Sequence, residues 1–173
     1  KCKLLLIIFC SLGFSLTQAQ TPVPLKRYFN GVDHLYETGG DEKVRQQYGY
    51  KYELDEGYVY ETQVAGTVPL YRYANGKDHL YQLDPKKYGG PEKWGYWPEG
   101  ICCYVFPNDG AGRLPLYRYN NGVDHLYQTD PKRSGGPEAY GYKYECMEGY
   151  VLKEKSAPAV NNVPSGTLAD LKD

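Results

Sequence analysis

"LYRYANGKDHLYQ", from Leu70 to Gln82, sets a turn between two aromatic-rich runs and crowds its polar residues around that turn. Almost the same words stand at Leu25, "LKRYFNGVDHLYE", and at Leu116, "LYRYNNGVDHLYQ". Such repetition outranks any local reading, because it means one structural unit is written three times. The units open at Pro24, Pro69 and Pro115. One register aligns Arg27, Arg72 and Arg118, then Asn30, Asn75 and Asn121, then Asp33, Asp78 and Asp124. The three histidines of the chain, His34, His79 and His125, fall in the same register. The boundaries are 23–67, 68–113 and 114–155 within one domain spanning 20–155.

Each unit has a second half, "GYKYELDEGYVYE", "GYWPEGICCYVFP" or "GYKYECMEGYVLK", which aligns Glu53, Glu99 and Glu145. The loops between halves read "GGPEKW" and "GGPEAY" in units two and three. Unit one has "GGDEKVRQQY" and lacks the Asp-Pro-Lys segment, so its loop should differ in shape. Aromatic and β-branched runs broken by Asn-Gly, Gly-Gly and Asp-Pro predict strands throughout, while the Gly and Pro density excludes helical repeats. Asn-Gly predicts a two-residue type I′ hairpin. That loop pairs Ala74 with Lys77, Tyr73 with Asp78 and Arg72 with His79, and places Leu70, Arg72, His79 and Tyr81 on one face. Two further short strands around a turn near Gly57, Cys103 or Gly149 bring the expected total to twelve. The expectation is an all-β, β-trefoil-like fold whose closed barrel leaves no long free edge, with a β-prism or small propeller as the alternative.

The opening stretch, "KCKLLLIIFCSLGFSLTQAQ", reads as a secretory signal peptide over residues 1–19. It has a basic start, an apolar run too short for a comfortable membrane span, and small residues before the cleavage point. Its removal takes the net charge from −1 to −3, which argues against a nucleic-acid partner. No second apolar run of spanning length follows, so a secreted, extracellular product with no membrane span is expected. Residues 156–173 lose the aromatics and the period and read as a flexible C-terminal tail.

The chain holds 20 Tyr against 4 Phe, and each buried phenol needs a hydrogen-bond partner. Cys102, Cys103 and Cys146 remain after cleavage, an odd set for an exported protein. A bridge from Cys146 to Cys102 or Cys103 is expected, leaving one thiol free or available to link two chains. Strain disfavours the vicinal bridge.

The Pro-Leu-Tyr-Arg opening, the Asn-Gly turn, Asp-His-Leu-Tyr and the closing Gly-Tyr-x-Tyr-Glu resemble a secreted Tyr-rich repeat domain of unknown function, over about residues 23–153. The resemblance implies an extracellular accessory or binding module, of a kind often appended to cell-wall or polysaccharide hydrolases, with glycans or glycoproteins as partners. The vicinal cysteines and the shortened first unit depart from the pattern and set the three copies apart.

A pyranose offers an apolar face to an aromatic ring and hydroxyls to carboxylates, amides, imidazoles and guanidinium groups. The candidate ligand contacts are therefore Arg27, Asn30, Asp33, His34 and Tyr36; Arg72, Asn75, Asp78, His79 and Tyr81; and Arg118, Asn121, Asp124, His125 and Tyr127. The competing reading makes them scaffold, with Asp78 bracing its turn or pairing with Arg72, and His79 packed on a tyrosine. Catalysis is not expected, because no serine or retained cysteine recurs beside Asp-His. The repeated glutamates share one environment, whereas glycoside cleavage needs two differing carboxylates. No cofactor is expected, and no metal, since each turn offers one sure carboxylate. The alternative to a lectin-like binding module is a structural or adhesive extracellular-matrix protein with Tyr-rich surfaces and thiol cross-links.

Overall fold

The computed structural model describes residues 20–155. The expected signal peptide and tail lie outside them. Unit one supplies β1 (Val23–Phe29), β2 (His34–Glu37), a short helix α1 (Glu42–Gln47) and β3 (Lys51–Val59). Unit two supplies β4 (Val68–Ala74), β5 (His79–Gln82) and β6 (Trp97–Val105). Unit three supplies β7 (Arg113–Asn120), β8 (His125–Gln128) and β9 (Lys143–Leu152). In every unit the first strand is central, with the short strand on one side and the long one on the other.

The described residues are all-β apart from α1 and four 3-10 turns. β3 and β9 pair through Tyr58 and Leu152, which joins units one and three into a six-stranded sheet, β2-β1-β3-β9-β7-β8. Unit two keeps its own sheet, β5-β4-β6, and touches the others through the bridges Tyr60–Tyr104 and Phe106–Tyr150. The long strand of each unit thus meets the long strands of both neighbours.

No closed barrel forms among the described residues, and they hold nine strands, not twelve. The chain does not reverse near Gly57, Cys103 or Gly149. Each second half runs on as one strand, and a register shift opposite these positions marks a bulge. Gly57 (φ +143°) shows why a glycine stands there: a Cβ would lie 2.5 Å from Val151 Cγ2 in the neighbouring unit.

The hairpin also departs from its expected register. Ala74 pairs with His79, Tyr73 with Leu80 and Arg72 with Tyr81, so the loop has four residues. Asn75 caps that loop, its Oδ1 accepting the amides of Lys77 and Asp78 at 2.9 Å, and only Gly76 takes positive φ. A shift of two residues preserves the faces, and Leu70, Arg72, His79 and Tyr81 do share one.

That face points inward. Tyr36, Tyr81 and Tyr127 meet at the centre with Leu25, Leu70 and Leu116 and with Val59, Val105 and Val151 around them. The three rings stand edge to face with centroids 5.3–5.4 Å apart. Their hydroxyls close a cycle. Tyr36 Oη donates to the Tyr127 carbonyl and accepts from the Tyr127 amide, and Tyr127 Oη does the same to Tyr81. Tyr81 Oη returns to Tyr36. Each phenol at the centre therefore satisfies one N–H and one C=O of another unit's short strand.

The expected bridge from Cys146 is not made, and the three thiols are free. They face different neighbours. Cys102 Sγ donates to the Tyr36 carbonyl, while Cys146 Sγ lies 3.1 Å from both Lys87 Nζ and Glu148 Oε1.

Candidate functional site

The Asp-His pair works between units, not within one. Asp124 Oδ1 accepts the His34 amide at 2.8 Å, and its Oδ2 lies 2.6 Å from His34 Nδ1. Asp33 holds His79 in the same two ways, and Asp78 holds His125. Each Oδ2 also accepts a tyrosine hydroxyl from the aspartate's own unit: Tyr50 to Asp33, Tyr96 to Asp78 and Tyr142 to Asp124. The partner foreseen for Asp78, Arg72, forms an ion pair with Glu99 instead, at 2.8 Å. Single carboxylates from three separate turns converge, with oxygens within 4.8 Å of one another. Each of the three already accepts three protein donors.

Burial disfavours the charge on Asp124, but the hydrogen bonds and attraction from His34 and the Tyr142 hydroxyl outweigh it and hold the carboxyl below its ordinary value. The phenols move the other way. Burial, and then the bond to an aspartate, raises Tyr50, Tyr96 and Tyr142 far above an ordinary phenol, and burial does the same to Tyr36, Tyr81 and Tyr127. A phenol raised on folding stabilises below its unfolded pKa near 10, and that contribution is lost as pH climbs toward the folded value. In an ultraviolet titration these six should stay protonated while exposed tyrosines ionise, then titrate together with the loss of circular dichroism. Smooth ionisation of all 20 in the folded protein would contradict it.

Above this buried network, three clefts of about 480, 410 and 450 Å³ open at the junctions between units. Cleft one sets Arg27, His34 and Glu53 of unit one against Gln128, Arg133, Tyr140 and Tyr142 of unit three. Cleft two sets Arg118, His125 and Glu145 against Gln82, Lys87, Trp94 and Tyr96 of unit two. Cleft three sets Arg72, His79 and Glu99 against Glu37, Arg45, Tyr48 and Tyr50 of unit one. The rim glutamate forms an ion pair with the arginine in each, 2.7–2.8 Å from its Nε, and stands 3.6–3.8 Å from the histidine Nε2. The aromatics Tyr140, Trp94 and Tyr48 are 64, 70 and 73 % exposed and stand at the mouths.

A second acid lies deeper. Glu56 is buried between Arg27 and Arg133 beneath cleft one, and Glu148 between Arg118 and Lys87 beneath cleft two. In cleft three that place is taken by Glu37, between Arg72 and Arg45.

Of the residues singled out from sequence, Arg27, Arg72, Arg118, His34, His79 and His125 line the clefts. Asn30, Asn75 and Asn121 also edge a cleft, while their Oδ1 atoms cap the hairpin turns. Asp33, Asp78 and Asp124 form the buried network, and Tyr36, Tyr81 and Tyr127 lie in the core away from every cleft. Sequence reasoning missed the rim aromatics, the deep acids, and Gln82 and Gln128. The signal for the aromatics was present, because Tyr48, Trp94 and Tyr140 each stand two residues before the aligned Tyr50, Tyr96 and Tyr142.

The profile of a domain of unknown function (DUF5648) matches residues 11–106, more than half of the chain, and the chain belongs to that family. No curated protein and no solved structure matches it.

Proposed function

We propose that this is a secreted, non-catalytic, lectin-like module whose inter-unit clefts bind neutral saccharides. One observation carries the reading: an exposed aromatic ring faces an Arg–Glu–His cluster across each of three clefts of sugar size. The ring suits the apolar face of a pyranose, and the cluster offers donors and acceptors to its hydroxyls. Charge narrows the ligand. Each cleft balances two cations against two carboxylates, so an anionic sugar finds no surplus positive charge. Repeated weak sites favour a multivalent surface, since avidity multiplies modest affinities. The cycles of Tyr and Asp-His contacts support a pseudo-threefold body of the prism or small-propeller kind.

A glycan array tests this. Binding to neutral glycans is expected, with at least a tenfold loss in the triple variant Tyr48→Ala, Trp94→Ala, Tyr140→Ala at unchanged melting temperature, because these rings pack on little. Silence on every neutral glycan, together with thiol-linked oligomers on a non-reducing gel, would replace this reading with the adhesive-matrix one. The free thiols Cys102 and Cys146 and the exposed Tyr52, Tyr88 and Tyr144 are the features that would serve it.

A further inference from the structure

One difference among the three clefts is a paired exchange. Gln82 and Gln128 end their short strands at the position that Glu37 holds in unit one. Glu56 and Glu148 stand on the bulges of β3 and β9 at the position that Cys102 holds in β6. Units two and three therefore bring an amide to the clefts where the long strand supplies the acid. Unit one brings an acid to the cleft where the long strand supplies only a thiol. The exchange keeps every arginine paired, and it changes what a ligand meets.

In clefts one and two the amide is spare. Gln128 and Gln82 are 3 and 2 % exposed, both line their clefts, and neither Nε2 has a hydrogen-bond partner. Buried amides are normally satisfied, so two equivalent orphans in the walls of equivalent clefts point to an acceptor that arrives from outside. Glu37 is tied to cations instead. Its Oε1 accepts from Arg72 Nη1 at 3.2 Å, its Oε2 stands 3.0 Å from Arg45 Nη1 in an ion pair without hydrogen-bond alignment, and a carboxylate donates nothing to a sugar oxygen.

We infer that the clefts act as two plus one: clefts one and two bind a neutral saccharide by donating the Gln128 and Gln82 amides to one of its hydroxyl or ring oxygens. Cleft three, floored by the ion-paired Glu37, binds it at least tenfold more weakly. This rests on the saccharide reading above and assigns its specificity to one position.

The two tryptophans separate the sites, since Trp94 lines cleft two and Trp97 lines cleft three. Methyl glycosides of glucose, galactose, mannose and N-acetylglucosamine are titrated into Trp97→Phe, which leaves Trp94 as reporter, and into Trp94→Phe, which leaves Trp97. At least one glycoside should move the Trp94 emission saturably, with no change in Trp97 emission over the same range. Calorimetry on the unsubstituted protein should give a stoichiometry of two, and Glu37→Gln with Cys102→Glu should raise it to three. A stoichiometry of three in the unsubstituted protein, or an equal response from Trp97, overturns the inequality and leaves the saccharide reading standing. Binding of none of the glycosides overturns both. If the double variant does not fold, the pair of reporters decides alone.

Discussion

Asp124→Ala should lower the unfolding free energy by about 3–5 kcal/mol, the scale on which a buried pair fails when one partner is removed. The loss is large because one carboxylate serves three donors. Without it, the His34 amide, His34 Nδ1 and the Tyr142 hydroxyl lose their acceptor in a buried setting. Asp33 and Asp78 occupy the corresponding places, so their alanine variants should fall in the same range. Urea denaturation followed by circular dichroism measures this, and a loss under about 1 kcal/mol would place these residues among ordinary surface charges. The pH dependence has a fixed sign. Because the Asp124 carboxyl sits below its ordinary value, its contribution is complete above the unfolded carboxyl's pKa near 4 and disappears as pH falls through the lowered folded value. Unfolding free energies from pH 7 down to pH 3 should therefore decline in the acid range for the parent protein, and less steeply for Asp124→Ala.

Tyr81→Phe is the second large effect. The substitution keeps the ring and its edge-to-face packing but removes the atom that bonds both the amide and the carbonyl of Tyr36. The Tyr36 amide is left unsatisfied and its carbonyl keeps only the weak Cys102 thiol donor, beside a side chain 1 % exposed. At about 1–3 kcal/mol for an orphaned buried group, with the weakened carbonyl bond added, a loss of about 3 kcal/mol is expected. For a domain of this size that corresponds to a fall in melting temperature on the order of 10 °C. Tyr52→Phe, on an exposed ring, should shift the melting temperature by no more than about 1 °C. Equal effects at the two positions would mean that the central hydroxyl cycle does not hold the units together.

Much of this architecture was legible. The recurring Asn-Gly, the aromatic runs and the common register disclosed three β units, and the arginines and histidines of that register do reach the clefts. What was hidden has a physical reason. Glycine at a bulge and glycine at a chain reversal look alike in sequence, since both positions use positive φ, so Gly57 and Gly149 suggested turns and a barrel. Asp33 and His34 are adjacent in the chain but bond different units. A repeated motif says that such a contact exists three times without saying which copies it joins. The Gln82–Gln128–Glu37 exchange is compensated by Cys102, a residue on another strand, so neither change is interpretable until the strands are placed side by side. The tyrosine-rich composition has its explanation in the same place: phenols fill the core while bonding the backbone of neighbouring units.

The thrice-written Asp-His pair interlocks the units beneath the three clefts. Double-mutant cycles in urea test it most directly, using Asp124→Asn with His34→Gln across units and Asp33→Asn with His34→Gln within one. Strong coupling is predicted for the first pair, about 1.5 kcal/mol or more, and much weaker coupling for the second. Stronger coupling between the sequence neighbours Asp33 and His34 would mean that the pair does not interlock the units.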